Sequence, residues 1–109
     1  QKFTFDQVYG PSASNEDVFD GTTKDLVDVI FDGYNCSCFV YGATGAGKTH
    51  TMLGSPNNPG ITFRTVMEIY SRIEACKEET TVEVAVSYLE IYNEKVLDLL
   101  NLSKENEGL

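Results

Sequence analysis

The chain has 109 residues, room for one domain and little for a second. Hydrophobic residues make up 41% and charged residues 23%, a globular mix that argues against wholesale disorder. The net charge of −9 repels nucleic acid and anionic membranes. No apolar run approaches the roughly 18–20 residues that cross a bilayer, so neither nucleic acid nor membrane is an expected partner.

The first six residues lack both an initiating Met and a basic region leading into an apolar stretch. The start reads as cut and carries no signal peptide. Phe3, Thr4 and Phe5 alternate as a short strand, which Gly10, Pro11 and Ser12 break. Ser14 followed three residues later by Asp17 is a capping-box signal. From there Val18, Phe19, Leu26, Val27, Ile30 and Phe31 recur at helical spacing, which predicts a helix running to a stop at Gly33. Glu16, Asp20, Lys24, Asp28 and Asp32 step along the opposite side and read as a solvated face. Tyr34, just past the stop, reads by itself as a core aromatic.

Residues 36–41 are mostly apolar and close on a glycine, the pattern of a buried parallel strand. The three cysteines, Cys36, Cys38 and Cys76, form no metal-binding set and are expected as buried, reduced thiols of an intracellular protein. A helix begins near Gly47 and is soon interrupted by residues 54–60, rich in Gly, Pro and Asn and expected as a surface loop. A second helix resumes near Thr62, with Val66, Ile69, Tyr70 and Ile73 on its buried face. Val82, Val84, Val86 and Tyr88 alternate with polar or small residues and predict a long strand continuing toward Tyr92. Asn93 and Glu94 make a turn, and residues 96–100 are an apolar segment whose type the pattern leaves open. Residues 103–108 are polar and expected to be loose. The order predicts an α/β fold, a partly parallel, mixed sheet flanked by helices.

The chemistry concentrates at residues 42–49. Gly42, Ala43, Thr44, Gly45, Ala46, Gly47, Lys48 and Thr49 fit G-x-x-x-x-G-K-[ST] at every fixed position. Glycines let the backbone turn with positive φ and approach a phosphate with no Cβ in the way. The loop N–H groups and the following helix N-terminus then form a nest for a polyphosphate. Lys48 supplies a point charge to the β- and γ-phosphates, and Thr49 offers a hydroxyl to Mg²⁺. His50, next along the chain, reads either as a partly exposed helix residue that caps nothing or, from its place beside the loop, as a contact for a bound nucleotide.

Residues 41–52, read as Tyr-Gly-Ala-Thr-Gly-Ala-Gly-Lys-Thr-His-Thr-Met, resemble the phosphate loop of kinesin motor domains, in which G-K-T is followed by H-T-M. Gly33-Tyr34-Asn35 is similar to the kinesin G-Y-N. Residues 87–94 with Asp98-Leu99-Leu100 resemble S-Y-L-E-I-Y-N-E…D-L-L, and the opening resembles F-x-F-D-x-V-F. Residues 42–54 are most similar to the kinesin-8 subfamily, whose members combine plus-end-directed walking with microtubule depolymerisation. The resemblance implies ATP as the nucleotide, with Tyr34 and His50 flanking its adenine, residues 42–49 around its phosphates and Thr49 on Mg²⁺. It also implies a microtubule-based motor ATPase of the cytoplasm and cytoskeleton, including the spindle.

The same resemblance implies that residues 1–109 are a partial motor domain. Neither switch motif, N-x-x-S-S-R-S-H or D-L-A-G-S-E, occurs in the sequence, nor does the family's N-terminal Arg/Pro adenine segment. This chain is therefore expected to be at best a weak nucleotide binder, incompetent for hydrolysis and, at its acidic charge, for binding an acidic track. One alternative is a truncated product that acts only as an interaction piece. Another is a different P-loop NTPase, which would need none of these landmarks; the guanine-binding N-K-x-D is absent.

Overall fold

The computed structural model describes residues 1–101, and the segment expected to be loose, 103–108, lies outside them. Helix α1, Asn15–Asp20, begins at the capping box that the Ser14/Asp17 spacing predicts. The Asp17 N–H donates to Ser14 Oγ at 3.1 Å, and the Ser14 N–H donates to Asp17 Oδ2 at 2.8 Å. Two N–H groups that a helix start leaves without partners are thereby satisfied.

The single helix expected from there to Gly33 is two helices. α1 stops at Asp20, residues 21–23 form a turn, and α2 spans Lys24–Phe31. The break has local causes. Gly21 is a weak helix former, the Thr22 hydroxyl donates to the Val18 carbonyl, and the Thr22 and Thr23 N–H groups both turn back to Phe19 O. The bend lets α1 and α2 both pack against the later helix α4, Ile61–Cys76, and each of the three helices contributes one buried apolar residue, Phe19, Val27 and Ile61. These three are the buried apolar core of the described residues.

The acidic stripe is exposed as expected, yet part of it faces basic residues of α4. Arg72 pairs with Asp28 at 3.0 Å and Arg64 approaches Glu16 at 3.8 Å. Exposed pairs of this kind contribute roughly 0–1 kcal/mol each, so they orient the helices more than they hold them.

Helix α3 spans Lys48–Met52, and α4 starts at Ile61, one residue before the expected Thr62. The interruption between them is a small antiparallel hairpin, β1 Gly54–Ser55 with β2 Asn58–Pro59. It folds tightly back on α3, with the Gly60 N–H donating to Leu53 O at 3.0 Å. Farther along, β3 Leu89–Tyr92 pairs antiparallel with β4 Lys95–Asp98, so the segment left open is a strand as far as Asp98. Asn93 and Glu94 turn between them at φ +48° and +61°.

Helices and strands make this part of an α/β fold, but the mixed, partly parallel sheet is not assembled among the described residues. Both sheets are two-stranded and antiparallel. Residues 3–5, 36–41 and 82–87 belong to no strand ladder, against expectation, while Tyr88 O accepts from the Leu99 N–H at 2.9 Å just beyond the β3–β4 pairing. A parallel strand is stable only when neighbours take up its N–H and C=O groups and helices cover its faces. Here Phe39 is 80% exposed and Tyr41 83%. The bare face explains two further departures. Val66 and Tyr70 of α4 stand exposed, with Ile69 and Ile73 half-buried. Cys38 is exposed and Cys36 and Cys76 are half-buried, so the expected burial of these free thiols is not found.

Candidate functional site

The end of the extended segment 36–41 delivers the chain into the glycine loop, and α3 leaves it. Gly45 and Gly47 adopt φ +81° and +100°, the left-handed region that side chains disfavour, and Gly47 is also the N-cap of α3. The Ala46 N–H donates to Ala43 O at 3.0 Å, closing the turn, and the Thr51 N–H donates to Gly47 O at 3.0 Å as α3 begins. Lys48 crosses back over the loop: its Nζ donates to Gly42 O at 2.8 Å and to Ala43 O at 2.9 Å. The ammonium is thus held over the loop by backbone carbonyls, and among the described residues no carboxylate pairs with it.

An open concavity of ≈ 480 Å³ is lined by Thr44, Gly45, Gly47, Lys48, Thr49 and His50. Local sequence suits it to an anion. No Asp or Glu occurs between Asp32 and Glu68, although the chain as a whole carries −9. A loop of this shape has donors and a cation to offer, and phosphate oxygens are the acceptors that match them.

Thr49 is exposed beside this concavity and offers one hard oxygen. No group of three or more His, Cys, Asp or Glu side chains among the described residues could hold a metal by itself. One hydroxyl fits Mg²⁺, which keeps waters and takes phosphate oxygens as its remaining ligands. The donor set therefore suits a metal that arrives with a nucleotide.

Of the residues singled out from sequence, 44, 45, 47, 48, 49 and 50 converge on the concavity, and Gly42 and Ala43 hold Lys48. Ala46 shapes the turn. Tyr34 does not line the concavity. It stands beyond the end of α2, 67% exposed, which also sets aside its reading as a core aromatic. One residue escaped the sequence reading. Asn15, 3% exposed on α1, donates through its side-chain amide to His50 O at 3.0 Å and to Asn58 O at 3.3 Å. An Asn beside a helix start looks like a local capping group, and nothing in the sequence signals bonds spanning 35 and 43 residues.

The family model for the kinesin motor domain matches residues 1–109. Kinesin-like protein KIF18B of Gallus gallus, a kinesin-8 member, is 57% identical over 99 residues. That match covers 91% of this chain and 12% of KIF18B. Among solved structures, the Drosophila kinesin family member NOD in complex with divalent manganese and ADP matches with a TM-score of 0.79 at 33% identity. A chain of the structure in which Drosophila NOD and bovine tubulin are docked into a map of nucleotide-free NOD complexed to the microtubule matches with a TM-score of 0.80 at 34% identity. Each covers 90% of this chain and 36% of the solved chain. The chain thus spans about an eighth of that curated relative and about a third of those solved chains. With sequence matched along its whole length and its fold shared with solved members, it belongs to the kinesin motor domain family.

Proposed function

We propose that this chain is the ATP-binding portion of a microtubule-based motor ATPase. The observation that carries the reading is the loop itself: Gly45 and Gly47 in left-handed conformations, with Lys48 Nζ held 2.8–2.9 Å from two loop carbonyls. Gly42, Ala43, Thr44, Gly45, Ala46 and Gly47 would wrap the phosphates, with Lys48 exchanging its carbonyl partners for phosphate oxygens. His50, on the rim of the concavity, would meet the base. Tyr34 would flank the base only after moving toward it. Mg²⁺, when bound, would neutralise phosphate charge and take the Thr49 hydroxyl as its protein ligand. Nucleotide complexes of NOD with manganese and ADP support this assignment, and the NOD–microtubule complex supports tubulin as the partner of the whole motor. Cytoplasm and the microtubule cytoskeleton, including the spindle, follow as its place of action.

Binding and hydrolysis separate here. Phosphoryl transfer is catalysed by placing the attacking water and stabilising spread charge. The 109 residues contain neither switch motif that would do so, and their acidity opposes an acidic track. Residues 1–109 are thus a partial motor domain that holds nucleotide without turning it over.

Titration with a fluorescent ATP analogue tests the reading. Binding is expected to require Mg²⁺, and Lys48→Ala should weaken it about tenfold or more, because hydrogen bonds to charged groups contribute roughly 1.5–3 kcal/mol. Equal affinity in the two proteins would sink it.

A further inference from the structure

We infer that Asn15 is a positioning residue of the nucleotide site, acting through α3 and tying that helix to the β1–β2 hairpin. The functional half of this inference rests on the nucleotide-binding reading above; the structural half rests on geometry alone.

α3 has five residues, too few to hold a direction by its own hydrogen bonds. One end is the phosphate loop. The other end runs into the hairpin, where the fit is close: a Cβ on Gly60 would stand 2.5 Å from Met52 O and 2.6 Å from Thr51 O. Between the two ends, the carbonyl of His50 receives the Asn15 amide. The same NH₂ group reaches Asn58 O in β2. An amide nitrogen has two hydrogens, and here each has one acceptor, so the group has no donor to spare. The donor end of both bonds is shielded from solvent, since Asn15 is 3% exposed, although the bonds themselves are only part-buried. A rotation of α3 or a shift of the hairpin would break one of them and leave a buried polar group unpaired.

α1 gives Asn15 a fixed base. Phe19, one helical turn on, is part of the buried core, and the capping box fixes the start of the helix. Thr49 and Lys48 lie one and two residues before His50, so the bond at His50 O sets how these side chains meet the concavity. Asn15 therefore makes the hairpin and the phosphate loop move as one piece. It does not line the concavity and acts only through α3.

The test uses the ¹⁵N-labelled 109-residue chain. Without any substitution, addition of the Mg²⁺–ATP analogue should shift the Asn15 side-chain NH₂ resonances and the Gly60 amide together; no shift at saturation would overturn the inference. In Asn15→Leu, amide exchange at Leu53 and at Gly60 should speed up by about tenfold while the amides of α2 and the middle of α4 keep their protection. Affinity for the analogue should fall about fivefold to tenfold, the loss expected from one or two buried hydrogen bonds. Asn15→Gln, which keeps the NH₂ group, should recover part of both effects. Lys48→Ala should lose affinity with exchange at Gly60 unchanged. Unchanged affinity and exchange in Asn15→Leu, or protection lost evenly across all helices, would overturn the positioning role. Failure of the wild-type chain to bind the analogue would instead overturn the nucleotide reading and leave Asn15 to be decided by the exchange data.

Discussion

Glu94 sits at φ +61° beside Asn93 at +48°, a pair of left-handed residues closing the β3–β4 turn. Two-residue hairpin turns favour this geometry because it matches strand twist, and they favour glycine at the second position. A glutamate there carries a steric cost of about 1–2 kcal/mol, partly offset in a glycine variant by the entropy that glycine loses on folding. Glu94→Gly should therefore stabilise the hairpin by about 0.5–1 kcal/mol, read as a raised urea midpoint; a lowered one would contradict the account. At the other end of the chain, hydrogen bonds from the Ser14 hydroxyl and then the Ser14 N–H hold the Asp17 carboxyl below its ordinary value of 3.8. A lowered folded-state value means that this stabilisation is present above 3.8 and is lost as the pH falls through the folded value. Ser14→Ala should thus lower stability at every pH above about 4, where the bond acts, and flatten the fall in stability below it. Both sites were legible because their signals are local: a capping box and an Asn-Glu turn each need only neighbours in sequence. Asn15 was not legible, because its acceptors are backbone carbonyls that any residue carries.

At the scale of elements, the starts of α3 and α4 were readable to within a residue, and glycine and proline punctuation marked the interruption between them, though as a loop and not as a hairpin. The packing of the hairpin was not readable. Gly60 has an ordinary φ of −82°, so its need for glycine arises from the approach of the Met52 and Thr51 backbone. Gly60→Ala should destabilise by about 1–3 kcal/mol, the usual cost of overpacking, measured by thermal unfolding. A neutral result would mean that the hairpin can lift from α3. The break between α1 and α2 was hidden for a related reason. Apolar spacing continues across it, and the deciding bonds are a threonine hydroxyl and two backbone N–H groups turning back on α1.

Over the whole molecule, two tendencies oppose each other. Phe39, Tyr41, Val86 and Ile91 are each more than two-thirds exposed, which favours association, while the net charge of −9 resists it. Raising salt from about 0.1 M to about 1 M shortens the screening length from about 10 Å to about 3 Å. Light scattering should therefore show the average mass at least doubling over that range; a monomer at both ends would show that the apolar segments do not associate. These same segments mark the limit of the sequence. Alone, it determined the phosphate loop, the helix cap, the turn and the α/β class, because each depends on residues close together in the chain or on a periodic pattern. It could not determine that residues 36–41 and 82–87 join no strand ladder, since alternation shows that a strand is possible and never which neighbour completes it. Nor could it show that Asn15, α3 and the hairpin meet, because a hydrogen bond to a distant carbonyl exists only once tertiary structure has brought the two together.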